Sequence, residues 1–135
     1  MLLENKLNLL LAINAAEGIG GGPIHVLILA KYLNKEKYNI FVTARKNGDF
    51  EKDVINAGAI PIDISFSRKF SLSVLIKYIK LLKKYRIQII HSHGAPVSFY
   101  SRLARKFLEF PVIITSYHIS IERITDINRF QKKYL

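Results

Sequence analysis

Short apolar runs alternate with segments of helical hydrophobic spacing along the chain. Residues 8–14 form a nearly continuous apolar run, which is typical of a strand buried on both faces of a sheet. Four further runs predict strands, and the segments between them predict helices. The predicted strands cover residues 8–14, 39–44, 59–64, 87–91 and 111–115, and the predicted helices cover residues 24–33, 49–57, 71–86, 95–107 and 121–135.

This alternation predicts a Rossmann-like α/β fold, an open and mostly parallel sheet with helices on both faces. A length of 135 residues fits one domain, so we expect a single domain over residues 1–135. Pro23 suits the first turn of the first helix, and Asp49 and Ser71 suit N-caps. Pro61 places the third strand near an edge of the sheet.

The last helical pattern keeps an apolar face as far as the end of the chain, through Ile124, Ile127 and Phe130. Such a face needs another part of a structure to cover it. We therefore expect the architecture to be truncated at Leu135.

A glycine-rich turn, Gly18-Ile-Gly20-Gly21-Gly22-Pro23, joins the first strand to the first helix. In an open parallel sheet, ligands bind outside the carboxyl ends of the strands, and a helix N-terminus there favours phosphate. Glycines also let the backbone approach an anion closely. The turn is therefore a candidate phosphate site, and a tight turn without a ligand is the alternative.

The turn does not match the common nucleotide fingerprints. The dinucleotide pattern G-x-G-x-x-G, started at Gly18, requires glycine where Pro23 stands. Arg45 lies where that pattern expects a ribose-binding acid, and the Gly-Lys-Ser/Thr of a P-loop does not occur. Half of an NADP-dependent oxidoreductase, with Arg45 on the 2′-phosphate, is a weaker alternative because its glycine spacing is wrong.

Three of the four histidines lie near the carboxyl ends of predicted strands. His91 ends the fourth predicted strand and His93 lies just after it, and His118 follows the fifth. The open-sheet rule brings them to the same edge as the glycine turn, which predicts a pocket there. We expect no metal, because no Asp or Glu lies close in sequence to complete a ligand set. A G-x-S-x-G nucleophile elbow is also missing.

The chain has 21 basic and 10 acidic residues, a net charge of +11. The position of this charge is more informative than its total, part of which reflects a lysine-rich composition. The predicted helix 71–86 carries an apolar stripe beside four lysines, Lys77, Lys80, Lys83 and Lys84. A helix of this kind can lie on an anionic membrane, although a sheet-covering helix with a solvated lysine face is the favoured alternative. Further basic residues extend the same face: Arg68, Lys69, Arg102, Arg105 and Lys106.

Composition excludes several classes of protein. With 50% apolar residues and no low-complexity tract, the chain is not a disordered tail. No apolar run reaches the roughly 20 residues that a membrane span needs. The chain has no cysteine, which excludes disulfides and thiolate zinc sites and makes a reducing cytoplasm the simplest location. Residues 7–16 resemble a short secretory signal, but Asn8 and Asn14 interrupt them and a buried strand is favoured.

Four motifs together resemble the N-terminal domain of the GT-B family 4 glycosyltransferases. In chain order they are Gly20-Gly21-Gly22-Pro-Ile-His25, Gly48-Asp49-Phe50, Ile89-Ile90-His91-Ser-His93-Gly94 and Thr115-Ser-Tyr-His118. The resemblance covers residues 8–118. Because the four motifs occur in the order and at the spacing of that family, their combination is specific.

The resemblance implies a retaining hexosyltransferase that works in a cleft between two Rossmann-like domains. It places His118 at the reaction centre. It places the donor diphosphate against the glycines of the turn, Gly20, Gly21 and Gly22. It assigns the acceptor-side pocket to His93, Gly94 and Thr115. The donor is then a nucleotide-sugar and no cofactor is expected.

The implied acceptor is a glycan or a lipid-linked saccharide of cell-wall or polysaccharide biosynthesis. The implied location is cytoplasmic, with peripheral attachment to the inner face of the membrane. The family binds the nucleotide with a second domain that uses two glutamates eight positions apart, and no two glutamates of this chain have that spacing. We therefore expect the chain to be inactive without a C-terminal donor-binding domain or subunit.

Two other classes of function remain open. A non-catalytic nucleotide- or phosphate-binding module would also explain the glycine turn and the incomplete donor site. A nucleic-acid binder ranks last, because the chain lacks a recognition helix and the aromatic-basic interleaving of RNA-binding modules. We therefore expect no nucleic-acid partner.

Overall fold

The first apolar run forms the central strand of a five-stranded sheet. The computed structural model describes residues 5–14, 21–66 and 69–117. The strands are β1 (Leu7–Ile13), β2 (Tyr38–Thr43), β3 (Ile60–Ile62), β4 (Ile89–His93) and β5 (Val112–Ser116). The helices are α1 (Gly21–Tyr32), α2 (Asp49–Asn56), α3 (Leu72–Lys84) and α4 (Ala95–Arg105).

The strand order is β3-β2-β1-β4-β5, and every neighbouring pair is parallel. The chain runs outward from β1 to β3, returns past β1 and continues through β4 to β5. This topology confirms the predicted Rossmann-like α/β fold. Pro61 lies in β3 at the edge of the sheet, as predicted, where its missing N–H costs no inner ladder bond.

Two apolar layers hold the helices on the sheet, because the side chains of a strand alternate between its faces. On one face Leu11 of β1 belongs to the same buried cluster as Val26 of α1. On the other face Leu10 belongs to a cluster with Tyr78 of α3. Burying each such aliphatic side chain contributes about 1.5–3 kcal/mol, so β1 is stabilised from both sides.

The predicted helix starts are right at one position and wrong at another. Ser71 caps α3, and its hydroxyl accepts a hydrogen bond from the Val74 N–H at 3.5 Å. Asp49 is not an N-cap, because Gly48 occupies that position and Asp49 is the first helical residue. The preceding Asn47 has a φ of 62° and completes the turn before the helix begins.

The fourth strand lies two residues later than predicted. Arg86 has a φ of 48°, and the Ile87 N–H donates to the Leu82 carbonyl at 3.0 Å, so these residues form the end of the helix turn. The strand therefore starts at Ile89, where it pairs with Leu9 of β1. As a result, His93 lies within β4 rather than after the strand.

None of the helices in the described ranges combines the length and the apolar composition that crossing a membrane requires.

Candidate functional site

The N-terminus of α1 opens one side of the candidate site. The helix begins at Gly21, three residues earlier than predicted, so Gly21 and Gly22 form its first turn with Pro23. The first N–H groups of a helix lack partners within the helix, and its N-terminus carries about half a positive charge. A Cβ atom built at Gly21 would meet no atom within 4 Å, so the space beside this backbone is open. Gly20 lies outside the described residues.

Three histidine rings lie against one another beside this helix. His91 and His93 are two residues apart on β4 and therefore point to the same face of the sheet. Their ring centroids are 4.2 Å apart, and the ring of His25 from α1 lies 5.6 Å from that of His93. We call His25, His91 and His93 the histidine cluster. His91 and His93 therefore lie beside the first turns of α1.

His25 belongs to this cluster, whereas the sequence indicated helix packing for it, with a position near the cleft as the alternative. It lies four residues after Gly21, one turn into α1, on the side that meets β4. The spacing between Gly21 and His25 is visible in the sequence. However, the face of α1 on which His25 lies can be assigned only when the first residue of the helix is known.

Ser116 also lies at the candidate site, although it was not predicted there. Its hydroxyl oxygen lies 2.8 Å from Nε2 of His91. It pairs with His93 across β4 and β5, so it shares the face of the histidine cluster. Side chains alternate between the two faces of β5, so the pairing register of β4 and β5 would have indicated Ser116 if it had been known.

Gly94 turns the chain from β4 into α4. Its φ of 91° and ψ of 159° lie in a region that is open essentially to glycine alone. Its N–H donates to the Ser116 carbonyl at 3.0 Å, and its carbonyl accepts from the Ser98 hydroxyl at 2.7 Å. This turn brings the N-terminus of α4 directly after His93, at the same edge as that of α1.

Thr115 was predicted to line the acceptor-side pocket together with His93. In the structure it pairs with Ser92, and its hydroxyl oxygen lies 3.1 Å from Ser92 Oγ. Ser92 Oγ in turn lies 3.0 Å from Ser98 Oγ of α4. The structure therefore places Thr115 under α4, on the opposite face from His93. His118 lies outside the described residues.

Side chains also fix the ends of the inner strands at this carboxyl edge. The Thr43 hydroxyl accepts from the Ile13 N–H at 2.8 Å and donates to the Ile13 carbonyl at 2.7 Å, which joins β2 to β1. The Asn14 side-chain amide donates to the Phe66 carbonyl at 2.7 Å. These bonds tie the ends of β1 and β2 to the segment that follows β3.

A cavity of about 630 Å³ lies at the opposite, amino edge of the sheet. It is lined by Lys6, Arg86 and Phe110, among others. We place the site at the carboxyl edge instead, because two helix N-termini, the histidine cluster and Ser116 meet there, and open parallel sheets bind ligands at that edge. Within the described ranges, no three His, Cys, Asp or Glu side chains are arranged to hold a metal ion.

The four predicted membrane-facing lysines, Lys77, Lys80, Lys83 and Lys84, are all exposed on α3. The Lys77 ammonium lies 3.9 Å from an Asp63 carboxylate oxygen. The four lysines lie on the face of the sheet opposite the histidine cluster.

Comparison with known proteins supports the family resemblance of the four sequence motifs. The model of Glycosyltransferase Family 4 matches residues 19–135. The capsular polysaccharide biosynthesis glycosyltransferase CapH of Staphylococcus aureus is 35% identical over 75 residues, which is 55% of this chain and 20% of that protein. The chain therefore matches only a small part of this relative.

Two solved structures share the fold. A glycosyltransferase of Rickettsia africae superposes with a TM-score of 0.65 at 23% identity, covering 87% of this chain and 32% of that one. A Listeria monocytogenes chain assigned as a UDP-N-acetylglucosamine 2-epimerase superposes with a TM-score of 0.53 at 17% identity, covering 82% of this chain and 31% of that one. These two similarities concern the fold alone, and one fold can host different reactions.

Proposed function

Because this chain belongs to glycosyltransferase family 4, we propose that it is the acceptor-side domain of an enzyme that transfers a sugar from a nucleotide-sugar donor with retention of configuration. The observation that carries the proposal is the meeting of the histidine cluster with the N-terminus of α1 at the carboxyl edge of the sheet. Imidazoles and helix N–H groups are donors suited to the oxygens of phosphates and sugars.

In this proposal the donor diphosphate lies against the glycine turn. Gly21 supports this position, because a Cβ built there would meet no atom of the described residues within 4 Å. A diphosphate there would face the first N–H groups and the positive end of the α1 dipole. We assign Gly20 and Gly22 to the same diphosphate contact.

The acceptor lies on the side of β4 and β5. His93 at the end of β4 and Gly94 directly after it support this side, because they adjoin the N-terminus of α4. Ser116 replaces Thr115 as the β5 residue of this pocket, since it lies on the face of the histidine cluster. His118 follows Ser116 by two residues, and we assign it to the reaction centre.

We further propose that a donor-binding domain or subunit completes the site and that the 135-residue chain alone does not turn over. The matched region spans about a fifth to a third of the relatives above, which supports this proposal. The similarity to CapH supports an acceptor from surface polysaccharide biosynthesis. We propose a cytoplasmic location at the inner face of the membrane, where nucleotide-sugar and a lipid-linked acceptor would meet.

The experiment is a sugar-transfer assay with a panel of nucleotide-sugars and a membrane extract as acceptor. The chain is assayed alone and together with a donor-binding domain encoded in the same or the adjacent reading frame. We expect transfer only in the second case. His118→Ala should lower the rate by on the order of 10²–10³-fold, the loss typical of one hydrogen-bond donor at developing charge.

Tyr117→Phe, at the exposed neighbouring residue, is the matched control and should keep the wild-type rate. Turnover by the chain alone would contradict the need for a second domain. Full activity of His118→Ala would contradict its place at the reaction centre.

A further inference from the structure

The cavity at the amino edge of the sheet combines positive charge with apolar surface. Its volume of about 630 Å³ lies within the roughly 300–1,000 Å³ of small-molecule sites. The lining contains one acidic residue, Glu109, and three basic residues, Lys6, Lys83 and Arg86. Three positive charges against one negative charge leave a net charge of +2 in the lining. The proposed function makes no use of this cavity.

The three basic side chains are not neutralised within the part of the chain that the structure describes. None of them forms an ion pair there, and Glu109 in the same lining is also unpaired there. Lys6 is half-buried at the start of β1, although lysine is usually exposed unless it is paired. The charge of this group is therefore available to an anion from outside the chain.

The C-terminus of α3 does not account for Arg86. Cations often lie at such an end because they complement the helix dipole and can bond the last carbonyls. The Asn8 side-chain amide donates to the carbonyls of Tyr85 at 2.9 Å and Arg86 at 3.3 Å. Two lysines of the last turn complement the dipole, so the Arg86 guanidinium is needed for neither purpose. Backbone N–H groups of the following turn already donate to three of the last carbonyls, those of Leu81, Leu82 and Lys83.

The backbone conformation of Arg86 is a second indication of a function. Its φ of 48° lies in the left-handed region, which is unfavourable for a residue with a Cβ atom. Arg86 directly follows the C-cap Tyr85, and glycine is the usual residue at that place. An arginine held in this conformation, with its side chain in the lining of a cavity, is a candidate for ligand binding.

The segment between α4 and β5 adds two exposed aromatic rings to the cavity. Phe107 is 63% exposed and Phe110 is 65% exposed, and both belong to the lining. The buried side chains of Leu82 and Ile87 line the cavity as well. An inorganic anion would leave both rings in water. A nucleotide-sugar has hydroxylated sugars on both sides of its diphosphate, so no apolar group of that ligand lies next to its phosphates.

We propose that the amino-edge cavity binds a small molecule in which a phosphate monoester is joined directly to a flat apolar ring. A phosphate monoester carries a charge of about −1.5 to −2 at neutral pH, which matches the charge of the lining. Lys6, Lys83 and Arg86 hold the phosphate oxygens through charge-assisted hydrogen bonds. The apolar ring lies against Phe107 and Phe110, because aromatic rings favour offset or edge-to-face contacts.

This site is separate from the one at the carboxyl edge. It lies at the opposite edge of the sheet and contains no residue of the histidine cluster or of the glycine turn. A ligand in the cavity therefore leaves the proposed donor and acceptor positions open.

The first test removes the arginine. The full 135-residue chain is titrated with naphthyl phosphate by isothermal calorimetry at physiological ionic strength. Arg86→Gly should bind on the order of 10–100-fold more weakly, because it loses a hydrogen bond between charged groups. Its urea midpoint should stay equal or rise, because glycine adopts the left-handed conformation freely, so weaker binding would not reflect unfolding.

The matched control for this variant is Lys84→Gln. Lys84 is exposed, carries the same charge two residues earlier and does not belong to the lining. Its substitution should change the affinity by less than about threefold, because exposed charges outside the site are screened by salt. Equal losses in Arg86→Gly and Lys84→Gln would overturn the proposal, since the total charge of the chain would then attract the ligand.

The second test separates the phosphate from the ring. Inorganic phosphate and naphthol each carry only one of the two parts and should bind on the order of tenfold more weakly than naphthyl phosphate, or less tightly still. Phe107→Ala should weaken binding of naphthyl phosphate, whereas Phe99→Ala, at a phenylalanine that is 54% exposed outside the lining, should not. Equal affinity for inorganic phosphate or for naphthol would overturn the proposed ligand class.

The third measurement locates the ligand by NMR of the backbone amides. Naphthyl phosphate should shift the amides of Arg86 and Gln88, which line the cavity. Shifts confined to Gly21 and its neighbours would place the phosphate at the glycine turn and would overturn the proposal. None of these experiments requires sugar transfer or a donor-binding domain, so a failure here is distinct from a failure of the proposed function.

Discussion

Alanine at each of two site glycines should have opposite consequences for stability. Gly94 adopts φ 91° and ψ 159°, a conformation that costs an L-residue about 1–3 kcal/mol. A Cβ there would meet no atom within 4 Å, so the whole loss in Gly94→Ala is backbone strain. We expect its free energy of unfolding to fall by about 1–3 kcal/mol.

Gly21→Ala is the matched control for this change. Gly21 lies in the first turn of α1 outside the left-handed region, and a Cβ there also meets no atom within 4 Å. Alanine is the better helix former and restricts the unfolded chain, so stability should stay equal or rise by up to about 1 kcal/mol. The same substitution should weaken nucleotide-sugar binding if the backbone approaches the diphosphate closely.

Urea unfolding followed by circular dichroism measures both changes. With a slope of about 1–3 kcal/mol per molar urea, Gly94→Ala should lower the midpoint by on the order of 1 M at an unchanged slope. Gly21→Ala should leave the midpoint equal or slightly higher. Two variants of equal stability would refute the assignment of strain to Gly94.

Substitutions at four further residues test the structure around the site. Thr43→Val should lower the free energy of unfolding by about 1–3 kcal/mol, because it leaves a backbone N–H and C=O of β1 without their partner, and Thr43→Ser should lose less in thermal melts. Burial raises the pKa of the Tyr78 hydroxyl above its usual value. The contribution of the neutral hydroxyl to the free energy of unfolding is therefore complete below about pH 10 and is lost as pH rises further. Tyr78→Phe should therefore be about 1 kcal/mol less stable than wild type near pH 8, and this difference should narrow above about pH 10; a constant difference in urea midpoints would contradict the shift. Thr115→Val should lower the free energy of unfolding through its contacts under α4 without affecting ligand binding, whereas Ser116→Ala should cost about 1 kcal/mol through its lost hydrogen bond to His91 and should also lower binding of nucleotide-sugar or acceptor; weaker binding in Thr115→Val with unchanged binding in Ser116→Ala would show that the faces of β5 are misassigned.

Local signals were sufficient for much of the fold. The apolar run of β1, the edge position of Pro61 and the Ser71 cap each depend on a few neighbouring residues, and each was predicted correctly. The start of β4 was not, because it depends on pairing with Leu9 of β1, some 80 residues away in the sequence. The left-handed conformation of Arg86, which ends the α3 turn, also has no clear signal in the sequence.

The sequence indicated which side chains gather at the carboxyl edge but not which face each one takes. His91 and His93 lie together at that edge, since parallel strands share it. The choice between Thr115 and Ser116 depends on the register of β5, and a shift of one residue moves a side chain to the other face. His25 joins the site only because α1 packs against β4 at that height.

The most direct test of the central claim is an NMR titration of the chain, paired with its donor-binding domain, with a panel of nucleoside diphosphate sugars, following the histidine ring signals of this chain. All four histidines of the chain belong to the proposed site, so their signals report on it specifically. The account predicts saturable shifts of His25, His91 and His93 and of the Gly21 amide, with Arg86 at the amino-edge cavity unchanged. Shifts confined to the surroundings of Arg86, or no shift with any donor in the panel, would contradict it.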